Sequence, residues 1–548
     1  MSVLMEGHLE YRRGLALLIA GFVYLFSVGW LLHIRFPVDD AFISFRYARN
    51  IAAGAGAVYK GAERVEGYTS FLWVMLLAGL AKVGLDIVKW SVGIGLAFAG
   101  LSVWLVWRFA RNVFADWPAG PAGLNAGPAG LPIGKNTQVR ETSSPALWAG
   151  LACVLLGTNG CFLCWSYVGM ETPLYTFLLT LSIFLFTREI SQDRPPLWSP
   201  LALAIAGLAR PEAAALLPLN LVVLTVLGAR AGRRWFPRAA RYVVLFATIA
   251  GPHVLWRYLY YGFLLPNTYY AKIGGWEVAL GMRGMAYVLS FYGAHTIWIV
   301  GLLGAVTAWR RLPVWFWYVS SVVLLYSAVI VYESGDCFPL FRLFVPVLPA
   351  LSLLTVYGVA AWWERIRALA LMRNRTDGMA VLAAAVVLWA APSYVLVRMK
   401  WGLPRFQLEQ YYAENWVRTG LWLRSVARAG ESVAVTAAGA IPYYSKLYTV
   451  DMLGLNDEHI AHLPGRYGSS MPGHEKWDTD YILSRRPTYI FLGVPVYRVA
   501  PLEPKHLARL GLPVDQELAR NPSFKNLYEF KTARYKDRYI VYYKLKGP

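Results

Sequence analysis

Charge is what this chain has least of. Only 16% of its 548 residues are Asp, Glu, Lys or Arg, where a soluble globular protein carries about a quarter. With 57% hydrophobic residues and a mean hydropathy of +0.41, that deficit argues against an ordinary soluble enzyme. Cysteine is also scarce. The four, at 153, 161, 164 and 337, make no disulfide framework. Cys161 and Cys164 form a CxxC, but in an apolar run without a second pair or nearby histidines, so they read as small helix-packing residues. A cleavable signal peptide is missing too: residues 14–32 are too long and uniformly apolar for an h-region, and no A-x-A site follows. Acids are fewer than bases, giving a net charge of +21. The excess sits in short loops between apolar runs, which is the positive-inside pattern and not a nucleic-acid stripe, so no nucleic-acid partner is expected.

What the chain does have is long apolar runs, with 23 Trp and 34 Tyr to line membrane interfaces or hold carbohydrate. Arg12 and Arg13 put the N-terminus in the cytoplasm. GARAGRRWFPRAAR at 228–241, Arg310 with Arg311, and Arg365, Arg367, Arg373 and Arg375 mark inside loops. These anchors set spans at 240–257, 287–308, 313–331, 343–363 and 378–397. Upstream, Arg108, Arg111, Lys135 and Arg140 favour an inside loop at 110–145, where PAGPAGLNAGPAG is a low-complexity linker. Then 88–109, 146–163 and 168–187 cross, 70–84 is interfacial or re-entrant, and 197–228 folds as two short helices broken at Arg210-Pro211. The expectation is a polytopic α-helical membrane protein of about eleven transmembrane helices over 1–397. An extracytoplasmic α/β or α+β domain follows over 398–548, where SVAVTAAG, TYIFLG and DRYIVYYKL read as strands and 409–427 as an amphipathic helix.

That topology gathers polar loops on the outer face. Asp39 and Asp40 open the first external loop, 34–87, beside Arg46, Arg49, Lys60, Arg64 and aromatics that include Tyr68. Carboxylates at a bilayer surface are costly unless they pair, bind metal or do chemistry. The combination reads either as a site that activates a hydroxyl beside an anionic headgroup or as a solvated loop. Glu171, in Gly169-Met170-Glu171-Thr172-Pro173, either stabilises a helix N-terminus or contacts substrate or metal. Arg210 and Glu212 place an ion pair in apolar sequence, which either simply neutralises itself or opens onto a polar cavity where Arg210 meets phosphate. Asn267, Tyr269 and Lys272 follow a Tyr-rich span preceded by Arg257, and Lys272 either snorkels or binds phosphate. Glu333, Asp336 and Arg342 form one more acid–arginine loop. In the C-terminal region Asp451, Asn456, Asp457 and His459 stand together; His459, His462 and His474 match no zinc spacing and read as loop histidines or sugar contacts.

The segments DDAFISFRYARN, ERVEGYTSFLW, GMETPL, LARPEA, PNTYYAK, ESGDCFPLFRLFVP and DMLGLNDEHIAH, in that order, resemble the GT-C superfamily of integral-membrane glycosyltransferases. The likeness is nearest to bacterial arabinofuranosyltransferases that add terminal arabinofuranose. Two departures stand out: Ser334-Gly335-Asp336 keeps a single Gly, and Ala209 stands where relatives often have Thr. The resemblance implies a polyprenyl-phosphate sugar donor used on the outer face of the bacterial cytoplasmic (inner) membrane, with Asp39 or Asp40 as catalytic acid/base. On that basis Asp40 takes the proton of the acceptor hydroxyl and Asp39 tunes it. Arg210, Arg257, Lys272 and Arg342 counter the phosphate. Glu171, Glu212, Asn267, Tyr269, Asp336, Tyr68, Asn456 and His459 contact substrate. Asp39, Glu171 and Asp336 could supply oxygens to a divalent cation such as Mg, Mn or Ca. The acceptor is a cell-envelope glycan or a surface protein. The alternative is a transporter or flippase of lipid-linked sugars, which would need inverted internal repeats that the sequence does not show.

Overall fold

The structure, a computed structural model, describes residues 37–115, 145–232, 235–275, 277–368, 402–498 and 511–547. The expected spans at 14–32 and 378–397, and the linker with Lys135 and Arg140, lie outside the described residues. Among the described residues six helices are long and apolar enough to cross a membrane: Ile87–Ala115, Thr172–Ser191, Pro211–Arg230, Phe236–Tyr261, Val314–Tyr332 and Arg342–Trp363. A seventh is counted if Pro145–Gly157 and Gly160–Ser166, bent by 63°, act as one span. That bend has a local cause: Asn159 accepts the amides of Cys161 and Phe162 and starts a new helix. These account for six or seven of the expected eleven, in a polytopic membrane protein.

Three segments repay comparison with the sequence. Phe71–Lys82 has 12 residues, a rise of about 18 Å, too short for a hydrocarbon core of about 30 Å, as expected for an interfacial or re-entrant helix. Residues 197–228 do break at Arg210, which is extended (φ −154°, ψ 130°) before Pro211. The halves are unequal, however. Trp198–Ala209 is short, while Pro211–Arg230 is long enough to span by itself. The expected span 287–308 is instead two helices, Val278–Ala294 and Ile297–Thr307, separated at His295-Thr296. The second of these packs on Leu348–Ala368 through glycines, and a Cβ on Gly304 would fall 1.9 Å from the carbonyl oxygen of Gly358.

The C-terminal domain is a mixed six-stranded sheet. β1 (Ser432–Val435) pairs in parallel with β2 (Tyr448–Asp451) and β3 (Tyr489–Ile490). β6 (Arg538–Leu545) runs antiparallel to β3, to β4 (Val496–Tyr497) and, along its other edge, to β5 (Tyr528–Tyr535). Alternation along β1 sends Val433 and Val435 to one core, with Trp422 of the helix Leu403–Val426, and Ala434 to the other.

The first external loop is the joint between the two parts. The helix Asp39–Ala52 buries Arg46, whose guanidinium donates to the Tyr59 carbonyl (2.7 Å), Thr449 Oγ1 (3.1 Å) and the Leu447 carbonyl (2.8 Å). Lys60 Nζ meets Asp457 Oδ2 at 2.8 Å, both side chains almost fully buried. Arg49 donates to the Tyr443 carbonyl. Three of the four cations that suggested a headgroup site therefore clamp the C-terminal domain against the membrane helices, while Arg64 lies over the Tyr260 ring of the helix Phe236–Tyr261.

Candidate active site

Two adjacent residues on a helix point about 100° apart, and the acid pair at the start of Asp39–Ala52 diverges accordingly. Asp39 turns to the C-terminal domain, where it accepts the amides of Gly439 (3.0 Å) and Ala440 (2.7 Å). A Cβ on Gly439 would meet the Asp39 carbonyl oxygen at 1.9 Å, so only glycine allows this approach. Burial pushes the Asp39 carboxyl up to about 7, with the amide donors opposing and the Asp40 charge reinforcing the rise. Asp40 instead lines a cavity of about 340 Å³ and makes no hydrogen bond among the described residues.

The cavity brings together residues that the sequence scatters over some three hundred positions: Tyr68, Glu171, Arg210, Glu212, Tyr269, Lys272, Asp336 and Arg342 all line it with Asp40. Most of its charges are already paired. Arg210 Nη1 bonds Glu171 Oε1 at 2.7 Å, while its Nε and Nη2 share Glu212 Oε1 at 3.0 and 2.5 Å. Arg342 grips Asp336 through Nε (2.7 Å) and Nη2 (3.1 Å), and its guanidinium lies 4.7 Å from the Phe338 ring centre. Tyr269 and Tyr332 share a hydroxyl contact of 2.7 Å at the rim. Lys272 also lines the cavity, and its ammonium has no hydrogen-bond or ion-pair partner among the described residues. Glu333, just past the end of its helix, also faces the cavity. Burial, and then the neighbouring Glu212 carboxylate, hold its carboxyl well above the usual range.

Other candidates stand elsewhere. Arg257, expected at the phosphate, lies 2.7 Å from Glu66 Oε2, both buried, and does not line the cavity. The N–H does not point along the contact, which is one of charge and not a directed hydrogen bond. Burial raises Glu66 to about 7 against the pull of Arg257. Asn267 donates to the carbonyls of Gly454 (2.8 Å) and Leu455 (3.1 Å), tying its helix to the C-terminal domain. Asn456 is fully buried and bonds Asp451 through its amide and side chain, closing a turn. His459 is exposed, paired with Asp478 Oδ2 at 2.9 Å and stacked on Tyr481, away from the cavity.

The cation expectation meets a similar difficulty. Asp39, Glu171 and Asp336 are each taken by a different partner, and no three His, Cys, Asp or Glu side chains among the described residues come together to hold a metal ion. Sequence reasoning missed Arg283, which lines the cavity while donating to Ser334 Oγ and Glu475, and nothing local marks it. It also missed Glu409, Tyr412 and Trp416, which line a neighbouring cavity that shares Asp40 and Lys272, although their spacing of three and four on one helix was readable.

The chain is similar to known membrane glycosyltransferases. A family model described as "Domain of unknown function (DUF8728)" matches residues 406–543. A curated terminal beta-(1->2)-arabinofuranosyltransferase of Mycobacterium tuberculosis is 28% identical over 291 residues, 50% of this chain and 42% of that protein. The enzyme of the same name from Corynebacterium glutamicum is 26% identical over 313 residues, 54% of this chain and 41% of that protein. The matched stretch thus spans under half the length of these relatives. Among solved structures, ArnT from Cupriavidus metallidurans bound to undecaprenyl phosphate superposes with a TM-score of 0.55 at 14% identity, covering 97% of this chain and 99% of that one. The archaeal oligosaccharyltransferase AglB from Archaeoglobus fulgidus, in complex with an inhibitory peptide and a dolichol-phosphate, gives 0.53 at 12% identity, covering 95% and 73%. At such identities the likeness is one of fold: the chain has the GT-C fold.

Proposed function

We propose that this GT-C chain is a glycosyltransferase. It moves arabinofuranose from a polyprenyl-phosphate donor to a hydroxyl of a cell-envelope glycan or surface protein. It works in the bacterial cytoplasmic membrane, with the N-terminus in the cytoplasm and the C-terminal domain on the outer face. The observation that carries this reading is one cavity lined by both a carboxylate, Asp40, and an ammonium, Lys272, that have no hydrogen-bond or ion-pair partner among the described residues. The relatives' names support the sugar, and the lipid phosphates named in the solved neighbours support the donor class.

The chemistry follows from the partners. The donor phosphate sits at Lys272, whose ammonium makes no hydrogen bond or ion pair among the described residues. Arg342, aligned by Asp336, adds its remaining N–H groups, and Arg210 is held fixed between Glu171 and Glu212. Asp40 accepts the proton of the acceptor hydroxyl as that oxygen bonds to the anomeric carbon. The carbon–oxygen bond to phosphate breaks, and polyprenyl phosphate leaves with the electron pair. Asp39, anchored on Gly439 and Ala440, holds the helix that aims Asp40.

The test is turnover by purified protein in nanodiscs of polyprenyl-phosphoryl arabinofuranose, mannose and glucose. Release of polyprenyl phosphate from the arabinofuranose donor alone is expected. Release from a hexose donor alone would overturn the sugar, and protein-dependent movement of lipid-linked sugar across vesicles without release would overturn the transferase.

A further inference from the structure

A second cavity, of about 330 Å³, meets the first at Asp40 and Lys272, and its volume falls within the range of small-ligand sites, about 300–1,000 Å³. One wall is the helix Leu403–Val426, on which Glu409, Tyr412 and Trp416 share a face. The Tyr412 and Trp416 rings lie 5.8 Å apart at 37°. From the C-terminal domain comes Asp515, whose residue is 0% exposed. Its Oδ2 accepts the amides of Leu512 (2.8 Å) and Gly493 (3.2 Å), whereas its Oδ1 has no partner among the described residues. A buried carboxylate oxygen without a donor is costly, and a ligand hydroxyl would supply one.

Asp40 and Lys272 line both cavities. Beyond them the first sets Arg210, Arg283 and Arg342 beside its acids, whereas the second has Asp39, Glu409 and Asp515 with a single arginine, Arg405, paired with Glu409 at 2.7 Å. An anionic ligand finds fewer cations there than in the first. Flat aromatic faces flanked by hydrogen-bond acceptors suit a ring that has apolar C–H faces and a rim of hydroxyls.

We infer that the second cavity is the acceptor site and that the acceptor is a neutral glycan. A sugar ring lies on Trp416 and Tyr412, its hydroxyls donate to Glu409 and Asp515, and the reacting hydroxyl reaches Asp40 at the junction. This rests on the transferase reading above, and it selects a glycan over a protein acceptor by the chemistry of the wall.

The experiment is saturation-transfer NMR on the full chain in nanodiscs, with three probes: a methyl-capped neutral pentofuranoside tetrasaccharide, its phosphorylated analogue, and a serine- and threonine-containing peptide. Saturable binding of the neutral tetrasaccharide is expected. It should weaken at least tenfold in Trp416→Ala, be largely restored in Trp416→Phe, and weaken in Asp515→Asn. Equal binding by wild type and Trp416→Ala, or preference for the phosphorylated or peptide probe, would overturn the inference. Donor turnover in the same preparations separates the two readings. Tetrasaccharide binding without release from any donor would sink the transfer reading and leave the glycan site standing. Release without Trp416-dependent binding would do the reverse.

Discussion

Lys272 and Arg210 line the same cavity, yet removing their charges should differ in what it does to stability. Lys272→Met keeps the stem that packs beside Gly473 and deletes an ammonium that has no ion pair among the described residues, so folding should lose little. It does lose its attraction to the donor phosphate. For unit charges about 4 Å apart at an effective dielectric near 20, that attraction is about 4 kcal/mol. Taking a large part of it as specific to the departing phosphate, kcat/KM should fall about 10²–10³-fold, with thermal stability unchanged. Arg210→Gln strips the partner from two carboxylates, Glu171 and Glu212, which are 5% and 9% exposed. Breaking such a buried pair costs about 3–5 kcal/mol, so this variant should lose Tm as well as activity. The assay is steady-state polyprenyl phosphate release beside thermal unfolding in the same detergent. A Lys272→Met protein that turns over donor like wild type would refute the reasoning. So would one that unfolds as early as Arg210→Gln.

Three further outcomes follow from the same contacts. Lys60→Met leaves Asp457 buried without its ammonium and should cost about 3–5 kcal/mol, read as earlier thermal unfolding and faster proteolysis of the C-terminal domain. Asp515, pushed by burial from 3.8 to about 7, binds its proton more tightly folded than unfolded. Its contribution to stability is therefore complete below about pH 4 and is lost as pH rises through about 7; Asp515→Asn, which retains the oxygen at the amides, should flatten the Tm–pH curve across that window. His459→Ala removes an exposed ring far from the cavity and should change donor turnover by less than twofold, a larger loss in the same release assay placing it in the site after all.

How much of this was readable in the sequence depends on the range of the interaction. Composition and charge placement reveal a membrane protein, and the residue before Pro211 announces the break in 197–228. Asp40, Glu171, Arg210, Lys272, Asp336 and Arg342 were all found as polar groups stranded at helix ends. What stayed hidden are pairings across the chain. Asp39 is held by amides 400 and 401 residues away, and Arg46 and Lys60 serve partners about as distant. Arg257 was expected at the phosphate because its partner Glu66 lies in a loop nearly two hundred residues earlier. Asn267, Asn456 and His459 are polar residues in loops of the right kind, and only the packed structure separates a turn-closing amide from a ligand contact. The division at His295-Thr296 has only Gly293, in the last turn of the first helix, as a local sign, and a lone glycine inside an apolar run is tolerated in a helix.

The most direct test is the effect of Asp40→Asn on release of polyprenyl phosphate from polyprenyl-phosphoryl arabinofuranose, with unfolding temperature and donor binding measured on the same protein. Asparagine keeps the shape and cannot accept the hydroxyl proton. Loss of turnover by at least 10², near the lower end of what a positioned base contributes, with stability and donor affinity like wild type, is the expected result. Full activity in a folded Asp40→Asn protein would remove the base from the mechanism and contradict it.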